Sequence, residues 1–298
     1  MTLSYILAQV VNGLILGSMY ALVAVGFSIT YGIVRLINFA FGDIMMIGAM
    51  LTVGLVAVPW LPFPLVILAV LAMGALAGVI IDRAAFRPMR GSPQVTGFIA
   101  SLAVAIVIEN MALMTLSAQP RNFHVPAYLS QLLEFGGISL QMIDLMIVVL
   151  TVALVVGLQV ITRATRVGLA MRATAENLAM ARLLGIRSDR IIALAFAIGS
   201  ALAAVAGLMW GSKYGQVSPL MGFVPGLKAF VAAVIGGVGS ITGAMLGGLL
   251  LGLAEVLFVG LLPSEYSSLR DAFVFGLLIL VLLVLPNGLM GRSVDERA

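Results

Sequence analysis

The sequence predicts an all-α polytopic membrane protein of eight to nine transmembrane spans, with broken or re-entrant glycine-rich segments and a short cytosolic helix. Three observations predict it. Hydrophobic residues make up 62% of the 298 and charged ones 9%, at a mean hydropathy of +1.20, where charged residues are about a quarter of a soluble domain. The apolar runs are continuous and rich in Leu, Val, Ala and Gly, which excludes the short alternating segments of a β-barrel and favours helices. The longest polar interruption, 162–190, carries six arginines against Glu176 and Asp189 and lies between two runs apolar enough to cross a bilayer.

Tyr5 to Ile29 is uncharged and long enough for a tilted first span, with Gly13 and Gly17 spaced for close helix packing inside the molecule. Residues 1–30 hold no Lys or Arg, so the positive leader of a signal peptide is missing and this span is expected to be retained. Tyr31 to Asp43 then places Arg35, Asn38 and Asp43 among glycines at 26, 32 and 42. Ionisable groups beside hydrocarbon are costly and face a cavity or partner. The stretch reads either as a helix break lining a path or as a surface turn with Arg35 reaching headgroups.

Ile44 to Val58 is a short second span closed by Pro59-Trp60-Leu61-Pro62, and Pro64 to Ile81 a third. Asp82 to Pro93 follows with three arginines, a cytosolic loop by the positive-inside rule. Val95 to Leu116, the fourth span, contains Glu109, which reads as a path residue or as a packing hydrogen bond. Residues 117–141 form an external loop holding Gly136, Gly137 and the only histidine, His124, a surface residue without metal-ligand spacing.

Met142 to Ile161 is the fifth span, with Asp144 near its outer end, and it delivers the chain to 162–190 on the same side as the first basic loop. Within that loop Thr174 reads as an N-cap, Glu176 as a first-turn acid and Gly185 as the closing residue of a helix about ten residues long. Ile191 to Trp210 is the sixth span. Gly226 to Leu262 is too long for one span and breaks at Gly236 to Ser240 into a half-helix or re-entrant piece and a full span from Ile241. Asp271 to Leu285 is the last span, and Pro286-Asn287-Gly288 leads into a polar tail, 287–298. The whole chain, 1–298, therefore reads as one transmembrane domain.

Function classes narrow accordingly. Cysteine is absent, which removes disulfides, thiolate metal sites and cysteine nucleophiles. Nine of the sixteen basic residues sit in the two inter-span loops, a membrane-orientation pattern and not a nucleic-acid footprint. HExxH, GxSxG and a phosphate loop are missing, so neither catalysis nor an ATP site is expected, and no cofactor or metal. Path candidates are Asn38, Asp43, Glu109, Gly236, Gly237, Gly239 and Ser240, the breaks reading alternatively as packing kinks. An ion-coupled secondary transporter stays open, since Glu109, Asp144 and Glu255 could carry protons.

The stretches NGLILGSMYALVAVGFSITYGIVRLINFAFGDIMMIGA (12–49), DRAAFRPMRGSP (82–93), RATRVGLAMRATAENLAMARLLGI (163–186), GLKAFVAAVIGGVGSITGAMLGGLLLGLAE (226–255) and the closing FGLLILVLLVLPNGLMG resemble the branched-chain amino acid ABC-transporter permeases of the LivH type. The resemblance spans nearly the whole chain. It implies a bacterial inner-membrane subunit, paired with a second homologous permease, two ABC ATPase subunits and a periplasmic substrate-binding protein. It makes 117–141 periplasmic and identifies Ala173 to Ile186 with the coupling helix, carrying over Ala175, Glu176, Leu183, Gly185 and Ile186 as ATPase contacts. Phe41 stands where the family pattern leads one to expect a histidine, so it joins the path candidates as a departure. Relatives with this pattern move urea, short amides or other amino acids, and selection among these solutes resides largely in the binding protein.

Overall fold

In the computed structural model, residues 3–58, 60–116, 118–123, 125–135 and 138–291 are described. His124, Gly136, Gly137 and the tail beyond 291 lie outside them. Eleven α-helices run α1 (Leu3–Val34), α2 (Phe41–Val56), α3 (Phe63–Ile81), α4 (Gln94–Leu116), α5 (Met142–Ala164), α6 (Arg166–Glu176), α7 (Leu178–Leu183), α8 (Ser188–Tyr214), α9 (Phe223–Gly236), α10 (Ile241–Leu261) and α11 (Arg270–Val284). Among the described residues, seven helical stretches are long and apolar enough to cross a membrane, and α2 and α9 are shorter apolar helices. The chain is thus a helical, multi-pass membrane protein.

α1 and α8 are the buried centre, whereas α3, α4, α5 and α11 present most of their surface outward. The centre closes through glycine. α1 packs along α10, where Gly17 meets the Leu249 backbone: a Cβ there would stand 2.8 Å from its Cα. α1 crosses α8 with Gly26 on Gly199, and α2 and α3 pack on the remaining faces of α8. Helix association in lipid lacks a hydrophobic drive, so close backbone approach and dispersion replace it. The Gly13/Gly17 pair accordingly serves packing within the molecule.

Residues 121–141 and 216–217 add a little β-structure. β1 (Arg121–Asn122) pairs antiparallel with β4 (Gln216–Val217), and β2 (Leu132–Phe135) forms a hairpin with β3 (Ile138–Gln141). Sequence periodicity predicts none of these strands, because two to four residues carry too little pattern.

Two helices break inside the bundle. α1 runs through Gly26 and Gly32 to Val34, and Arg35, at φ 55, turns the chain through the left-handed region. Residues 35–40 are non-helical, and Asn38 Oδ1 accepts the Ala40 N–H at 3.1 Å before α2 begins. The second is the turn at 237–240 between α9 and α10; ahead of it α8 closes on Gly215 (φ 71), its last residue Tyr214 four beyond the expected end of the sixth span, and the chain returns through Ser218-Pro219 before α9 starts at Phe223.

One expectation is corrected. The basic loop does not hold a single helix capped by Thr174. Thr174 lies within α6, buried, its hydroxyl donating to the Ala170 carbonyl at 2.7 Å. Thr165 caps α6 by accepting from Gly168 N, and Asn177, in extended backbone, caps α7 by accepting the Ala179 and Met180 N–H groups, each at 3.0 Å. Asparagine is among the strongest N-caps, so it starts a new helix where Thr174 cannot. Glu176 consequently ends α6 and does not open a helix. Gly185 (φ 81) does close α7, with Ile186 N–H bonding back to the Ala181 carbonyl at 3.0 Å. Gly185→Ala has open space for its Cβ, so only backbone strain of about 1–2 kcal/mol opposes it; faster amide hydrogen exchange at Gly185 and Ile186 is the expected readout.

Candidate functional site

The N-termini of the two short helices meet inside the protein. A Cβ on Gly226 would stand 2.7 Å from the Gly42 Cα, and one on Gly222 3.1 Å from the Asp43 Cα. Helix N-termini carry unpaired N–H groups and the positive end of the helix dipole. Asp43, in the first turn of α2 and only 4% exposed, puts a carboxylate at that junction. Glu109 on α4 is half-buried and is its charged neighbour. Asn38 is buried on the preceding turn, and its Nδ2 has no partner among the described residues.

Phe41 is fully buried and faces Phe27 at 4.9 Å. Phe39 and Phe230 extend the cluster, with Phe39 5.4 Å from Phe230 and 5.3 Å from Phe98 on α4. The structure therefore brings the polar groups of Asn38, Asp43 and Glu109 together beside an aromatic wall to which Phe41 belongs.

The glycine break at 236–240 forms a separate place. Gly237 (φ 101) and Gly239 (φ 91) turn the chain, and Ser240 caps α10 by accepting from Gly243 N at 3.1 Å. The stretch after α11 seals the break: Leu289 and Met290 donate their N–H groups to the Ile235 and Gly236 carbonyls at 2.9 and 3.0 Å. Those carbonyls are orphans of the α9 C-terminus. Gly236 and Gly237 are thus held under residues 288–291, while Gly239 meets Gly32 near the end of α1 and Ser240 opens α10.

The arginine-rich end joins the two basic loops. Arg90 pairs with Asp82, at the single π-helical turn after α3, and at 2.7 Å with Asp189 in the first turn of α8. Arg87 and Arg182 reach the same Asp189 at 3.6 and 3.5 Å. The positive-inside reasoning required both loops on one side, and this geometry places them side by side. Beyond the network α7 projects outward: Leu183 and Leu184 are 81% and 79% exposed, with Met180 beside them. Glu176 and Gly185 are exposed as well, while Ala175 and Ile186 are half-buried and anchor the segment.

Sequence reasoning missed a set of ion pairs at the opposite end. Lys228 on α9 bonds Glu255 of α10 at 2.7 Å and Asp271 of α11 at 2.6 Å, and Arg270 also engages Glu255. Lys213 at the end of α8 bonds Asp144 of α5 at 2.5 Å. The available signal was opposite charges standing alone in apolar runs, but nothing local says which meet. Next to them a cavity of about 390 Å³ opens between α1, α8 and α10, with Arg270 at its rim.

A family model described as the permease component of the branched-chain amino acid transport system matches residues 9–282. The chain is 42% identical to the high-affinity branched-chain amino acid transport system permease protein BraD of Pseudomonas aeruginosa, over 98% of this chain and 97% of that protein. It is 40% identical to the corresponding protein LivH of Escherichia coli K12, over 98% of each. The autoinducer 2 import system permease protein LsrC of Yersinia enterocolitica is 35% identical over 50% of this chain and 41% of its own length. No solved structure matches the chain.

Proposed function

The chain belongs to the branched-chain amino acid transport permease family, and from that premise we propose that it is the membrane subunit of an ATP-driven importer of branched-chain amino acids. The observation that carries the reading is likeness at 40–42% identity over nearly the full length of permeases of such systems. Its partners in this reading are a second homologous permease, two ABC ATPases and a periplasmic binding protein, in a bacterial inner membrane.

Counting α2 and α9 with the seven longer helices gives nine crossings. The arginine-rich end then faces the cytosol and the 117–141 loop the periplasm. α7, projecting from the arginine network, is the ATPase contact, and α6 ties it to α5 and α8. ATP binding closes the partner ATPases, α7 moves with them, and the paired bundles rock between outward and inward openings. The junction of α2 and α9 is the hinge and path wall. Phe41 makes that wall apolar, which suits an aliphatic side chain.

Ion-coupled transport is the competing mechanism, and it has lost two of its three carriers: Asp144 and Glu255 are both held by cations. Proteoliposomes holding the assembled complex are expected to accumulate leucine, isoleucine and valine only with ATP on the ATPase side and binding protein on the other. Uptake by this chain alone, driven by a proton or sodium gradient, would reject the proposal.

A further inference from the structure

The cavity opposite the arginine-rich end is not explained by packing. Its α1 wall carries Tyr5, Gln9 and Asn12, a polar stripe at helical spacing on a largely apolar span. Polar side chains at such depth face protein or water, not lipid. Its floor is Glu255, fully buried, whose Oε1 takes both Lys228 and Arg270 while Oε2 has no hydrogen-bond partner among the described residues, though Tyr20 is near. A buried carboxylate oxygen left open in this way asks for a donor.

At the rim, Arg270 engages Glu255 through Nε and also bonds the Tyr214 hydroxyl, which leaves its remaining guanidinium N–H groups for a second carboxylate. Between the two charges the wall is aliphatic, made by Ile15, Met19, Val256 and Val259. The volume of about 390 Å³ lies in the range of about 300–1,000 Å³ common to small-molecule pockets.

We propose that this cavity is a receiving site for a zwitterionic α-amino acid, with the α-carboxylate on Arg270, the α-ammonium on Glu255 Oε2 and Asn12, and the aliphatic side chain against Met19 and Val256. It rests on the permease reading and extends it. The site stands on the side where a periplasmic binding protein releases its cargo, and it gives the membrane subunit its own discrimination: both charges and an apolar chain are needed together. Urea and simple amides lack that combination.

The test uses the complete permease–ATPase complex in nanodiscs, without binding protein, and saturation-transfer NMR with three probes. L-Leucine carries both charges, 4-methylpentanoate only the carboxylate and 3-methylbutylamine only the ammonium. Each lost charge-assisted contact is expected to weaken binding on the order of tenfold. Val259→Trp, which fills the cavity, should abolish the leucine signal. If that variant does not assemble, Arg270→Lys keeps the charge, loses the fork and should weaken leucine in the same assay. Equal binding of the three probes, a leucine signal that survives these substitutions, or no saturable signal overturns the site. A complex that imports leucine yet shows no selective signal overturns the site alone, whereas a complex that imports no branched-chain amino acid overturns the functional reading first.

Discussion

Replacing Leu183 and Leu184 together with aspartate is expected to reduce ATP-driven uptake about a hundredfold while the protein still inserts and folds. The two side chains stand 81% and 79% exposed, so removing them costs the isolated subunit little. Large apolar side chains so exposed on a polar loop mark a surface that something covers. Burying a leucine side chain at an interface contributes about 1.5 kcal/mol or more, and every 1.4 kcal/mol is about tenfold in affinity. Two readouts separate a partner from the lipid headgroups. Co-purification of the ATPases should fail for the double aspartate variant, and flotation with liposomes should not change. An ATPase complex that forms normally, with normal uptake, would remove α7 from the coupling role. Glu176→Ala, on the α6 side of the Asn177 break, tests how far the contact extends and should have the smaller effect.

The division at Asn177 matters to the proposed coupling. A single helix from 173 to 185 would roll as one body. Two short helices joined at an extended residue form a bent pair instead: α6 lies against α1, α5 and α8, and α7 hangs from it and from the start of α8. The Arg90–Asp189 contact then ties the α8 end of this pair to the loop after α3. In the proposed coupling, movement of α7 would reach α8, at the centre of the bundle, and α3, at its edge, through one carboxylate.

The spans were legible because lipid enforces a strong rule: a run of about twenty apolar residues must be a helix. Their ends fell within a few residues of expectation, except where α1 and α8 continue beyond the apolar run into polar flanks. The break near Asn38 was legible from clustered glycine and charge, and so was the closing role of Gly185. The pairing of the α2 and α9 N-termini was not, since Gly42 and Gly222 are 180 residues apart and glycine spacing carries no partner information. The same limit hid the ion pairs. Lys228 and Glu255 were visible as the two charges of a long apolar stretch, but the turn at Gly237 to Ser240 is what folds α9 back on α10 and brings them to 2.7 Å.

That pair carries the second large effect. Lys228 is 4% exposed and Glu255 0%, so Glu255→Ala leaves an ammonium without its buried partner, a change that costs roughly 3–5 kcal/mol. Against a total stability of about 5–15 kcal/mol that is a large fraction, and the thermal midpoint of the purified protein should fall by roughly 10 °C. Asp271 compensates only in part, because its side chain is 57% exposed and its charge is shared with water. The double variant Lys228→Met/Glu255→Met replaces the pair with apolar groups of similar size, and such exchanges are close to neutral. It should recover most of the lost midpoint. What it cannot recover is the open carboxylate oxygen in the cavity, so stability and leucine selectivity should separate in this one protein. A double variant as unstable as Glu255→Ala would show that α9, α10 and α11 depend on the charges themselves and not on filling the space between them.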